Sequence, residues 1–467
     1  MKGENKPAKQ KDEKISRRNF MRGAAAAFTI VPRYVLGGPG HTAPSEMLNV
    51  AIIGAGGMGT VNTKALLVGA LSEDEMRERN AQIEDDLHEH SGVRVVAVCD
   101  VDANNRDRVR DMVNEKYGNK DCVTYNDFRE MLTSEDIDAV VVATPDNTHA
   151  VATMAAIRMG KHVYCEKPLT HDVFEARKIT QAAQEAKVAT QMGNQGQASE
   201  KTRLICEFIL DGAIGPVHEV RAWCDAKISP RGIDRPKETP PVPSTLDWDL
   251  WLGPAPYRPY HPCYHPFSWR GWWDFGTGVL GDIGCHVFHP IFKALKLGHP
   301  TSVEASSSGV NSETVPLASI VRYKFPARSE MPPVTLTWYD GGLMPARPEE
   351  LEEGRNLSGG ALYIGDKGKM MGHRLIPESK MKSYKRPPKT LPRSVGHYKE
   401  WIEACKGGKP AGSNFDFAGL VTEVVLLGNI ALRTGKKVQW DAKEMKVANI
   451  PEANKYIQRQ YRQGWIL

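Results

Sequence analysis

The chain has 467 residues, 41% of them hydrophobic and 25% charged, which suits two or three globular domains and excludes a largely disordered or collagen-like chain. The formal net charge is +5, and Lys2, Lys6, Lys9, Lys11, Lys14, Arg17, Arg18 and Arg22 stand in the first 22 residues. The remaining body is close to neutral, so no nucleic-acid footprint is expected. The eight cysteines are scattered without a CxxC pair or zinc spacing, and Cys99 and Cys165 fall in apolar, strand-like runs that suit reduced core thiols.

Residues 1–46 read as a targeting segment and linker. Ser16-Arg17-Arg18-Asn19-Phe20-Met21-Arg22 precedes a mildly apolar run at 23–31, too short to span a bilayer. A basic region before a short apolar one is a signal layout, and adjacent arginines before Phe point to the twin-arginine export machinery. The expected location is therefore periplasmic or otherwise exported. No cysteine lies in or just after the apolar run, so no permanent membrane anchor is expected.

Residues 47–197 predict a dinucleotide-binding domain. The apolar run 48–53 has strand length and flows into Gly54-Ala55-Gly56-Gly57-Met58-Gly59, a GxGxxG turn whose glycines let backbone approach a pyrophosphate at the next helix's N-terminus. A second strand at 93–99 ends at Asp100, where a carboxylate would accept ribose hydroxyls, which favours NAD while leaving NADP possible. Asp100 lies 41 positions past Gly59, where the fingerprint expects about 20. The excess, residues 71–90, is rich in Glu, Asp and Arg and predicts an inserted solvated helix. A buried strand at 137–143 leads into Thr144-Pro145-Asp146-Asn147-Thr148-His149 and a helix through Met159. The short strand 162–165 leads into Glu166-Lys167-Pro168. Strands alternating with helices predict a doubly wound parallel sheet with its ligands beyond the strands' carboxyl ends, where Asp100, Thr144 and Lys167 all fall.

This order of motifs resembles the Gfo/Idh/MocA family of oxidoreductases, which includes glucose–fructose oxidoreductase and inositol dehydrogenase. The resemblance covers nearly all the chain after the leader, and Glu166-Lys167-Pro168 is its most specific element. It implies an α/β fold: an N-terminal Rossmann sheet and, over 198–467, an α/β domain with a large, open, mainly antiparallel sheet that makes homo-oligomer contacts, dimer or tetramer. It also implies that the glycine turn, Asp100, Thr144, Pro145, Asn147, His149 and Glu166 hold the dinucleotide. The lysine matching Lys167 contacts both the nicotinamide and the substrate hydroxyl. Asn194, after a strand at 188–192, either reaches cofactor or substrate, as in relatives, or only forms a turn.

Gly276-Thr277-Gly278-Val279-Leu280-Gly281-Asp282-Ile283-Gly284-Cys285-His286 carries the second chemical cluster. Asp282 and His286 are four apart and share one helix face. That spacing suits a relay in which His286 takes the hydroxyl proton and Asp282 orients the ring, beside a Lys167 ammonium that stabilises developing alkoxide charge. The family's Asp-x-x-x-His pattern matches at these positions. A metal held by Asp282, His286 and His289 is the rival reading, and none is expected. His289 stands where many relatives carry Asp, which leaves its role open, with a substrate contact as one candidate.

A proline- and aromatic-rich stretch at 230–273 is too long for a mere connection. Its rings, Trp273 among them, stack on a sugar or pack the second domain, and Arg270 suits a substrate oxygen or a cofactor phosphate. Strands are predicted at 217–223, 302–306, 318–325, 334–339 and 361–365, the last ending in a hairpin turn at Gly365-Asp366-Lys367-Gly368. Helices are predicted at 198–212, 395–405 and 415–433. The expected function is NAD-dependent hydride transfer at a secondary hydroxyl of a sugar, sugar derivative or cyclitol. A redox-neutral, NAD-dependent glycosidase working through a keto-sugar is one alternative, and a non-catalytic sensor the other. An enzyme exported already folded, into a compartment poor in free nucleotide, is expected to hold its cofactor tightly.

Overall fold

Short runs of Val, Ile and Ala, buried on both faces, build the first layer. The computed structural model describes residues 47–67, 92–226 and 230–467; the expected leader at 1–46 and the acidic insertion at 71–90 lie outside them. β1 (Leu48–Ile53), β2 (Val93–Cys99), β3 (Val123–Tyr125), β4 (Ala139–Val142), β5 (His162–Cys165) and β6 (Thr190–Met192) form one parallel sheet in the order β3-β2-β1-β4-β5-β6. The order reverses between β1 and β4, and the crevice beyond the carboxyl ends of those strands is where such sheets bind ligands.

The helices of this layer are α1 (Gly57–Leu66), α2 (Ala103–Tyr117), α3 (Phe128–Ser134), α4 (Asp146–Arg158) and α5 (Val173–Ala186). Asp102 caps α2 by accepting from Asn104 N, and Gly118 ends it at φ 65°. Asp172 and Glu175 close a reciprocal capping box on α5.

The second layer is a nine-stranded mixed sheet. It holds β7 (Val217–Trp223), β8 (Ser302–Ser307), β9 (Ser319–Phe325), β10 (Val334–Asp340), β11 (Ala361–Gly365), β12 (Gly368–Met371), β13 (Arg374–Ile376), β14 (Val438–Asp441) and β15 (Lys446–Val447), in the order β13-β12-β11-β7-β10-β9-β8-β14-β15. Only β7 and β10 pair parallel; the other neighbours run antiparallel. The hairpin at 365–368 joins β11 to β12 as the sequence predicts.

The other helices are α6 (Glu200–Leu210), α7 (Trp248–Leu252), α8 (Gly278–Leu295), α9 (Glu378–Ser383), α10 (His397–Cys405) and α11 (Phe415–Thr434). Among the described residues α11 is the one helix with the length and apolarity of a membrane span, and most of it is buried. It packs on α5, α8 and β8, so its apolarity is spent joining the two layers. Leu48–Leu467 is one compact unit, and its largest hydrophobic cluster draws residues from both sheets.

The aromatic stretch forms a core of its own. Trp248 stacks on Trp251 with ring centroids 4.6 Å apart, and Trp251 and Tyr264 meet Phe275 edge-on. Backbone bonds fasten this cluster to the first sheet: Ala103 N donates to Thr245 O (2.9 Å) and Asp247 N to Val101 O (2.9 Å).

Candidate active site

The glycine turn divides its labour. A Cβ at Gly54, whose φ is +92°, would fall 2.6 Å from the Ala143 carbonyl oxygen, and one at Gly59 would fall 1.8 Å from Gly54 O. These two glycines let α1 pack directly on the turn. Gly56 and Gly57 do the opposite, because a Cβ on either would meet nothing within 4 Å. Gly56 caps α1 without a side-chain bond, which leaves the first helical N–H groups for an anionic ligand.

Asp100 closes β2 beside this turn. Its Oδ2 accepts from Ala55 N (2.6 Å) and its Oδ1 from Asp102 N (2.8 Å), yet burial outweighs both bonds and pushes its pKa up to about 6. A carboxylate here is suited to accept ribose hydroxyls and would repel a 2′-phosphate. An open glycine cradle for pyrophosphate and an acid for the ribose are the donor and acceptor set that NAD requires.

Both features border a cleft of about 660 Å³. Met58, Thr144, Pro145, His149, Glu166 and Lys167 line it from the first layer, and Arg270 and Asp282 from the second. The aromatic stretch roofs it with Leu250, Trp251, His265, Phe267 and Trp269. The rings therefore both pack the second domain and face the cleft, and Arg270 lies across Trp269 and Phe267 at 4.2 and 4.5 Å.

At the inner end, Lys167 Nζ donates to Asp282 Oδ1 at 2.5 Å, across 115 positions of sequence. Arg270 Nε lies 3.6 Å from the same oxygen. Burial alone would lower the Lys167 pKa, but the Asp282 and Glu166 carboxylates outweigh it and hold the ammonium above its ordinary value. Burial alone would raise Asp282, and Lys167 and Arg270 outweigh that, so the carboxylate stays ionised. Glu166 accepts from Asn62 Nδ2 (3.1 Å), whose Oδ1 accepts from Tyr398 Oη (2.7 Å), while Glu166 Oε2 is buried without a partner. The Asn62 and Tyr398 supports carry no signal in the sequence pattern.

Five predicted placements need correction. Asp282 does not orient His286: among the described residues no hydrogen bond joins them, Asp282 Oδ1 faces Lys167 and Arg270, His286 Nδ1 is buried with no partner, and His286 does not line the cleft. Burial and the Lys167 charge push His286 down to about 3, so it is neutral. His289, a candidate substrate contact, does not line the cleft: its Nδ1 accepts from Asn194 Nδ2 at 2.8 Å, and its ring packs 4.6 Å from Phe417. That bond commits Asn194, which is buried and does not line the cleft. Asn147 spends its amide on Leu252 O (2.9 Å) and its backbone N–H on Phe275 O, so it latches the roof to α4 instead of lining the cleft. Trp273 is buried beside Arg433, its carbonyl accepts from His171, and it does not line the cleft.

Residues 48–194 match the family described as an oxidoreductase family, NAD-binding Rossmann fold, and residues 230–467 match that family's C-terminal alpha/beta domain. An inositol 2-dehydrogenase of Rubrobacter xylanophilus is 28% identical over 180 residues, 38% of this chain and 44% of that protein. A 1,5-anhydro-D-fructose reductase of Ensifer adhaerens is 40% identical over 86 residues, 18% of this chain and 26% of that protein. The chain thus spans less than half the length of the curated relatives it matches. Among solved structures, the WlbA dehydrogenase from Bordetella pertussis, in complex with NADH and UDP-GlcNAcA, shares the fold at 16% identity and a TM-score of 0.55, over 85% of this chain and 100% of that one. GenD2 from gentamicin A biosynthesis, in complex with NAD, does so at 20% identity and a TM-score of 0.54, over 85% and 97%.

Proposed function

The chain belongs to the Gfo/Idh/MocA family of oxidoreductases, and on that premise we propose that it transfers a hydride between NAD and a secondary hydroxyl of a sugar, sugar derivative or cyclitol. The observation that carries this reading is the pairing of Lys167 with Asp282 in a cleft that also holds the glycine turn and Asp100.

A bound nicotinamide would supply the hydride acceptor. Lys167 presents an ammonium to the substrate oxygen and stabilises the alkoxide charge that grows there as the hydroxyl proton leaves, before the hydride departs and the carbonyl forms. Asp282 holds that ammonium in place and keeps it protonated. His286 is neutral, the form that accepts a proton, and stands one helical turn beyond Asp282 but outside the cleft lining, so it takes the hydroxyl proton through an intervening group and not by direct contact. Arg270, stacked on Trp269, is placed to donate to a neighbouring substrate oxygen. The relatives named as inositol and anhydrofructose enzymes support a polyhydroxylated ring as substrate.

The paired arginines at 17 and 18 support export by the twin-arginine route with the dinucleotide already tightly held. Assembly into a dimer or tetramer through the open nine-stranded sheet is part of the same reading.

The test is to purify the protein, release its nucleotide by denaturation, identify it, and screen oxidation of sugars and cyclitols. NAD(H) released and turnover on a ring hydroxyl are expected. An empty protein that turns over only with NADP would contradict the reading.

A further inference from the structure

Segment 456–467 is fastened by hydrogen bonds and ion pairs to α5, to the roof at 249–253 and to the end of α4. Arg459 Nη2 lies 2.7 Å from Glu175 Oε1, and Tyr461 Oη donates to the same oxygen at 2.6 Å. Arg462 pairs with the Asp249 carboxylate and donates through Nε to Gly253 O at 3.1 Å. Arg158 Nη2 donates to Leu467 O at 2.8 Å. Glu175 is fully buried, and Arg459 and Tyr461 are both committed to it, so this course is built and not a chance drape.

These anchors carry Trp465 into the cleft. Its ring centroid lies 6.2 Å from that of Phe128, and the Arg129 guanidinium sits 4.7 Å over it on α3. Trp465 lines the cleft with Leu250, Phe128, Asn126 and Asp127. The last three directly follow β3, the strand next to β2. Asp100 ends β2, so this corner lies on the side of Asp100 away from β1 and from Lys167. In a doubly wound sheet a dinucleotide whose ribose rests on the β2 carboxylate sends its adenine toward that corner. Phe128, Leu250 and Trp465 offer apolar surface there and Asn126 and Asp127 polar side chains, a set that suits a purine base.

We infer that Trp465 forms one wall of the adenine slot, so that segment 456–467 helps to retain the dinucleotide. This rests on reading the cleft as the NAD site. It assigns the two ends of the cofactor to different parts of the fold: the reacting end to Lys167 and Asp282, the holding end to a segment remote from them in sequence.

The test measures binding of ADP-ribose, which has the adenine end and no nicotinamide, to nucleotide-free wild type, Trp465→Ala and Trp465→Phe by titration calorimetry, with the melting temperature of each unliganded protein. Trp465→Ala is expected to weaken ADP-ribose by about 5- to 100-fold, the range that stacking a base on an aromatic ring supplies, and Trp465→Phe to restore most of the affinity. ADP-ribose affinity unchanged in Trp465→Ala, or loss in both variants in proportion to a lowered melting temperature, overturns the inference and makes Trp465 a packing residue. Wild type that binds neither ADP-ribose nor NADH overturns the cofactor reading as well.

Discussion

His149 Nδ1 lies 2.7 Å from the Pro168 carbonyl oxygen, while its Nε2 lies 2.9 Å from that of Thr144. One ring thus bridges the two loops that carry the cleft's central residues. Burial pushes its pKa down to about 4, against the bonding that favours the charged ring. The unfolded chain takes up a proton near 6.5 and the folded chain does not until about 4. The ring's contribution to stability is therefore full above pH 6.5 and is lost as pH falls through 4. His149→Leu is expected to cost about 1–3 kcal/mol at neutral pH, the penalty for stranding a buried carbonyl. Urea unfolding across this range should also show a shallower acid loss than in wild type.

Asp100 makes cofactor affinity pH-dependent. The free carboxyl titrates at about 6 because it is buried, and only its ionised form accepts from both ribose hydroxyls. NAD affinity should be level above that pH and fall below it. Asp100→Ser should lose the dependence and narrow the preference for NAD over NADP, both read by calorimetry.

Asp282 protects the charge on Lys167. Without that carboxylate, burial becomes the dominant influence on the ammonium and lowers its pKa. The pH profile of kcat/KM for Asp282→Asn should therefore begin its alkaline decline at lower pH than wild type. A profile of unchanged shape, merely scaled down, would detach Asp282 from the protonation state of Lys167.

Trp273 tests the reassignment of a predicted substrate contact. Its Nε1 is buried with no partner, so Trp273→Phe removes an unsatisfied donor at the expense of some packing. Substrate KM should not move. A large rise in KM would return Trp273 to the substrate's surroundings.

The parts of this fold that lie in contiguous, strongly patterned sequence were legible in advance. β1, β2, β5, β7 and β11 occupy the predicted spans, because each is a short apolar or alternating run closed by turn residues. The glycine turn and Asp100 were legible for the same local reason. What periodicity withholds is which partner wins. It places Asp282 and His286 on one face of α8, yet cannot show that Lys167, 115 positions away, takes the carboxylate first. Asn147 and Asn194 stand at positions that the family resemblance assigns to the site, and Trp273 in the aromatic stretch, but they are claimed by Leu252, His289 and Arg433. The docking of 245–247 on the end of β2 uses backbone groups, which leave no trace in residue identity. Trp465 reaches the cleft only through the ionic anchors that precede it.

The central claim is that Lys167 acts on the substrate oxygen and is not needed to hold the dinucleotide. Lys167→Ala, assayed with NAD(H) content measured on the same preparation, tests it most directly. The expected result is a loss in kcat of about 10²–10³, the usual effect of removing a charge-stabilising donor, with the nucleotide retained. Turnover at the wild-type rate, or a protein that loses activity only because it no longer binds NAD, would contradict it.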